Sequence, residues 1–104
     1  MLTVGLPNTM RLSANEKLLT IGLRTSPAQL AVVNTDDFSY ELVNLAGSGT
    51  TAGHQWTSPS GRITFASFEG GTDPGVAFID HRDGNRVITL PYAGRPHGVT
   101  RALP

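Results

Sequence analysis

Apolar residues along this chain fall in short runs, alternate with polar positions, and are closed each time by turn-forming residues. No window of helical length carries a 3.6-residue apolar period. Runs rich in β-branched and aromatic residues recur instead, the pattern of half-buried strands. They predict strands near residues 2–5, 9–12, 18–23, 29–34, 40–45, 54–57, 63–68, 75–80, 86–90 and 97–100. The separators "SANEK", "TSPA", "NTDDFS", "SPSGR", "GGTDP" and "HRDGN" carry turn chemistry. The Asp83–Gly84 pair suits a tight hairpin, because glycine adopts positive φ without steric cost. Pro7, Pro27, Pro59, Pro74 and Pro96 fall between the expected strands, where a missing N–H breaks no ladder.

The runs repeat. "SANEKLLTIGL" (13–23) matches "SPSGRITFASF" (58–68) at an offset of 45, "QLAVVNT" (29–35) matches "GVAFIDH" (75–81) at 46, and "YELVNL" (40–45) matches "NRVITL" (85–90) at 45. "GLPNTMR" (5–11) lies over "GRPHGVT" (94–100) at 89, about two repeats, and "TAGHQWT" (51–57) fills the slot between them. A period near 45 with four short strands in each unit predicts an all-β chain of consecutive four-stranded antiparallel blades of a β-propeller. A sandwich or simple meander is the rival, but neither has a reason to repeat its strand sequences at a fixed period. Leu19, Ile21, Val33, Phe65, Ile79 and Ile88 are expected in the core because they recur at matched strand positions.

The segments "GRPHGVT", "SPSGR" before "ITFASF", and "GVAFIDHRDGNRVITLP" resemble the YVTN-type repeat of bacterial and archaeal propellers, the lactonase-like and surface-layer-like group. That repeat runs from a Pro-x-Gly turn through Ser-Pro-Asp-Gly-Lys/Arg to Val-Ile-Asp and Val-x-Thr-Ile strands. The likeness covers nearly the whole chain and speaks to architecture more than to activity. The first turn, "SANEK", lacks the proline and glycine of the pattern, Ser60 stands where the pattern has Asp, and "LPNTM" lacks the glycine.

On this reading residues 1–6 form the outer strand of one blade, 7–50 and 51–92 form two blades, and 93–104 open another with its inner strand. Two blades leave an apolar face open at each end, and repeat arrays need neighbours to cover such faces. The expected partners are therefore the remaining blades of a longer propeller, or identical chains that complete a ring as two-bladed lectin-like propellers do.

Composition narrows the function. Eight Lys+Arg balance eight Asp+Glu, for a formal net charge of zero, and the arginines form no stripe. That removes the long-range field by which proteins gather on nucleic acid or anionic membranes, and neither is an expected partner. No apolar run reaches the roughly 18 residues of a spanning helix. With no cysteine, disulfides and thiolate metal sites are excluded, and redox chemistry names no compartment. An extracytoplasmic setting is admitted by the family resemblance alone.

Candidate chemistry is sparse. His54 and His97 sit at or beside the start of inner strands, with Asn8 or Thr9 in the slot of the first blade. In a propeller that strand lines the channel, so His54, His97 and Asn8 are the expected contacts for a small-molecule or protein ligand. Two imidazoles fall short of the three or four ligands a metal takes, so no metal and no cofactor is assigned. "DHRDGN" lacks the alternate-position oxygens of a calcium loop and reads as a hairpin. Glu69 and Asp73 read as solvated loop carboxylates, and Trp56 as packing between blades. No Gly-x-Ser-x-Gly elbow, phosphate loop or dinucleotide fingerprint occurs. The expectation is a binding or scaffold module without a self-contained active site. A part of a propeller enzyme, lactonase-like or a metal-dependent oxidoreductase, and a ring-forming lectin-like unit are the alternatives.

Overall fold

The computed structural model describes residues 6–45, 51–69 and 74–91. The expected strands at 2–5 and 97–100, together with His97 and Asp73, lie outside these residues. Among the described residues eight strands follow one another: β1 (Leu6–Leu12), β2 (Leu18–Arg24), β3 (Gln29–Asn34), β4 (Tyr40–Asn44), β5 (Thr51–Thr57), β6 (Ile63–Glu69), β7 (Gly75–Asp80) and β8 (Arg86–Pro91), with a 3-10 turn at His81–Asp83. They form two four-stranded antiparallel sheets, β1-β2-β3-β4 and β5-β6-β7-β8, each pairing neighbours in sequence. The chain is all-β, in the arrangement expected of two consecutive blades. Pro7 lies within β1 rather than before it, which is tolerated because β1 is an edge of its sheet.

The first hairpin of each sheet is built alike. Ser13 and Ser58 each exchange backbone bonds across the turn, with Leu18 and Ile63 donating in return to the serine Oγ at 3.0 and 3.1 Å. Gly61 takes the required left-handed backbone at φ 75°, and Glu16 takes it at φ 61°. The turn geometry therefore survives in "SANEK" without its glycine. Both inner strands carry a bulge at the same height, between Pro7 and Thr9 in β1 and between Ala52 and Gln55 in β5.

The registers give a residue-by-residue match between the sheets. Leu19 opposite Leu12 corresponds to Thr64 opposite Thr57, an offset of 45. Val33 opposite Leu19 corresponds to Ile79 opposite Thr64, an offset of 46. Tyr40 opposite Val33 corresponds to Val87 opposite Ile79, an offset of 47. The offset grows because the second sheet has one more residue between paired positions at each of its last two connections: 69–74 between Phe68 and Gly75 against 24–28 between Leu23 and Gln29, and 80–86 between Ile79 and Val87 against 34–39 between Val33 and Tyr40.

Strand alternation then separates two faces on each sheet. The front face of the first sheet carries Thr20, Leu30, Val32 and Val43. It packs on the back face of the second, which carries Ala66, Phe68, Ala77 and Ile79, in one buried cluster. The back face of the first sheet holds its own cluster of Ile21, Leu23, Ala31 and Val33, with Leu19 against it. The sheets thus stack front to back, each in the same orientation.

Ile21, Val33, Phe65 and Ile79 are buried as expected, Leu19 is half-buried, and Ile88 is 50 % exposed. The exposure of Ile88 corrects the sequence expectation. An offset of 45 equates Ile88 with buried Val43, but the register equates Val43 with Leu90 and Ile88 with Glu41. Ile88 and Leu90 both lie on the front face of the second sheet, which no described sheet covers. Val43 is 6 % exposed beneath the second sheet, whereas its counterpart Leu90 is 54 % exposed.

Candidate functional site

The candidate residues of the inner edge stand on the two bulges. A bulge frees backbone groups from the ladder, and each must find another partner. His54 N–H donates to Ser67 Oγ at 2.9 Å, which ties the β5 bulge to β6. His54 is an exposed residue at this edge. Asn8, half-buried, reaches across the sheets: its Nδ2 donates to Ala52 O at 2.9 Å. Thr9 Oγ1 donates to Gly53 O, and Gln55 Nε2 donates to Thr9 Oγ1. Gln55 Oε1 accepts from Thr20 Oγ1 at 3.4 Å, and the Gln55 side chain is buried. The structure therefore brings Asn8 and His54 to adjacent inner strands, with the Asn8 amide nitrogen engaged in joining them. By register the counterpart of His54 is Thr9, and that of Asn8 is Gly53.

A second polar cluster, which sequence reasoning missed, runs across one end of the second sheet, from Thr57 at the end of β5 to Asn85 before β8. Asn85 Nδ2 donates to Glu41 Oε2 at 2.7 Å, from the hairpin before β8 to β4 of the other sheet. Asn85 Oδ1 therefore faces His81 Nδ1, 2.6 Å away, so Nδ1 carries the proton. His81 Nε2 lies 2.6 Å from Thr64 Oγ1, and Thr64 Oγ1 lies 2.7 Å from Thr57 Oγ1. A neutral imidazole completes this chain, with Thr64 donating to Nε2 and accepting from Thr57. Burial, the largest influence, pushes the His81 pKa down, against Asn85, Asp80 and Glu41, which act to raise it.

Thr57 and Thr64 are buried, so neither hydroxyl is presented as a nucleophile, and the chain Glu41–Asn85–His81–Thr64–Thr57 is a tie between sheets. Beside it opens a cleft of about 300 Å³ lined by Leu18, Val32, Asn34, Glu41, His81 and Asn85 among others. No spacing within one strand links Glu41 to Asn85; only the repeat length places them together. Near the cleft Arg62 and Asp80 pair at 3.3 Å. The hydrogen bond and charge of Arg62, with the N–H of Arg82, hold the Asp80 carboxyl below its usual range although desolvation, the largest single influence, opposes them.

Trp56 stands on the front face of the second sheet, stacked on Phe65 at 5.6 Å between ring centroids. Phe65 meets Phe78 edge-on at 4.9 Å. With Ile88 these residues form one cross-strand row over the full width of that sheet. Among the described residues no group of three or more His, Asp or Glu side chains is placed to hold a metal ion. Comparison with protein-family models, with curated proteins and with solved structures finds no match to this chain.

Proposed function

We propose that this chain is a pair of blades of a β-propeller of the YVTN-like kind, working as a binding or scaffold module completed by further blades. One observation carries the reading: the front-to-back stacking of the two sheets. In a sandwich, two sheets bury their equivalent faces against each other. Here the buried face of the first sheet (Thr20, Leu30, Val32, Val43) corresponds to the outward face of the second (Phe65, Val76, Phe78, Leu90). Stacking of that kind has no internal stop, and propellers end it by closing a ring of about four to eight blades. The inner strands, with Asn8 and His54, then face the channel, where exposed His54 and the neighbouring bulges form the ligand rim.

The polar clusters support binding over catalysis, since both are committed to holding the sheets together and Thr20, Thr57 and Thr64 are buried. Electron microscopy of the assembled full chain, alone or within the longer protein that carries it, tests the proposal. A ring with a central channel is expected. A filament, or a compact particle without a channel, would overturn it.

A further inference from the structure

We infer that the exposed apolar margins of the first sheet's back face and of the second sheet's front face are the halves of one interface, and that a second copy of the chain joins them head to tail, with Phe38 of one copy seated on Ile88 of the next. The inference rests on the blade reading above and adds the identity of the partner.

The internal interface supplies the template. Asn85, at φ 58° in the hairpin before β8, reaches back to Glu41 of the preceding sheet. Its counterpart in the first sheet is Phe38, at φ 60° in the hairpin before β4. The counterpart of Glu41 is Ile88. The same step that joins Asn85 to Glu41 inside the chain therefore joins Phe38 to the Ile88 of a sheet standing before the first. A second pair behaves alike. Gln55 meets Thr20 inside the chain; their counterparts are Met10 and Phe65.

At both positions the chemistry changes on the two sides together. Amide with carboxylate becomes phenyl with sec-butyl, and amide with hydroxyl becomes thioether with phenyl. Thr57, tied to Thr64 inside, corresponds likewise to Leu12, which is exposed. Polar partners inside and apolar partners outside are matched pair by pair within a single chain. A second copy presents both matched halves.

The exposed residues agree. Phe38 is 76 % exposed and Met10 63 %. Phe38 also holds a left-handed backbone, which a bulky side chain rarely adopts. Open to water, it burdens the fold twice; under a neighbouring Ile88 it is an anchor. Ile88 and Leu90 on one end, beside half-buried Trp56 and Phe78, and Met10, Leu12, Tyr40 and Leu42 along the two outer strands of the other are exposed apolar residues of the kind that mark interaction sites, while Phe65 on the one face and Ile21, Leu23, Ala31 and Val33 on the other are already buried within the chain. With zero formal net charge, copies meet without long-range repulsion. The contact is heterologous, one face on a different face, and such contacts close into rings when the rotation allows.

Analytical ultracentrifugation of the full chain at low micromolar concentration is the test. The wild type should form a defined oligomer. Ile88→Glu should weaken association at least about tenfold, as loss of a central apolar anchor does. Adding Phe38→Asn to Ile88→Glu rebuilds the internal Asn–Glu pair at the outer contact, and should restore most of the association. Damage to folding would not be rescued in this way. A wild type that stays monomeric overturns the inference, because the faces are then covered otherwise, by the chain's own remaining residues or by nothing. Single and double variants that associate like wild type also overturn it. If rings persist while Phe38 and Ile88 prove indifferent, the inference fails and the blade reading stands; if the assembly is no ring, the blade reading fails, whatever these variants do.

Discussion

Gly22 lies on the front face of β2, where the inner edges of the two sheets come closest. A Cβ at this position would stand 2.5 Å from Gln55 Nε2, 2.8 Å from Thr9 Oγ1 and 3.0 Å from Gly53 O. The last of these is backbone and cannot swing aside. Gly22→Ala therefore forces the sheets apart or expels the Gln55 amide from its bonds to Thr9 and Gly53. Overpacking of this kind costs about 1–3 kcal/mol. A buried amide left short of partners costs about 1–3 kcal/mol more. Reduced freedom of the unfolded chain returns about 0.4–1 kcal/mol. The net expectation is a loss of about 2–4 kcal/mol, against a total of about 5–15 kcal/mol for a chain of this length. Urea unfolding followed by the fluorescence of Trp56, the one tryptophan, measures it, at a fixed chain concentration because association shifts apparent stability. Gly84→Ala is the control: a Cβ there meets nothing within 4 Å, and only the left-handed backbone at φ 60° penalises it, by about 1–2 kcal/mol. If Gly22→Ala costs no more than Gly84→Ala, the sheets do not approach as described and the front-to-back contact is wrong.

Glu16→Gly should stabilise the chain by about 0.5–1 kcal/mol, since Glu16 holds the left-handed position that Gly61 fills in the sister turn; a loss measured in the same assay would contradict the shared turn geometry. His81 is held below its usual imidazole value of 6.5 by burial, so its contribution to stability is complete above that pH and is lost as pH falls below it through the folded value. Thermal melts should therefore fall between pH 7.5 and 5.5 and fall less in His81→Gln, whereas an unchanged slope would refute the neutral bridging imidazole. Asp37, lowered chiefly by the Ser39 N–H, and Asp80 add acid sensitivity only below about pH 4, so the two steps are separable. Asn85→Ala should cost about 1–3 kcal/mol, because it breaks the chain from His81 to Glu41 at its middle and leaves half-buried His81 short of a partner; retention of full stability would reduce the tie to a surface contact.

The strands, their order and their turns were legible because each is a local matter. Val, Ile and Phe runs of period two mark a strand wherever it stands, and β3 and β7 fall at 29–34 and 75–80 as the pattern predicts. Serine and glycine mark the hairpins for equally local reasons, and the recurrence of both carried the prediction of two four-stranded units. Which face of each strand is covered is not local. A strand shows that Val43 and Ile88 are apolar, but only the stacking covers Val43 and leaves Ile88 open, and only the register shows that the counterpart of Val43 is Leu90. Added residues in two connections shift that correspondence, and sequence matching at a constant offset passes over them. The same limit hid the second polar cluster. Glu41 and Asn85 stand 44 residues apart in segments that look like a strand and a turn, and the hydrogen bond between them exists because the sheets stack front to back. The sequence pattern assigns Asn8 to a ligand, whereas the tertiary structure gives its amide nitrogen to Ala52 O. The physical reason is common to all three cases: alternation along a strand is dictated by its own backbone, whereas burial and polar pairing across sheets depend on what the rest of the chain brings against it.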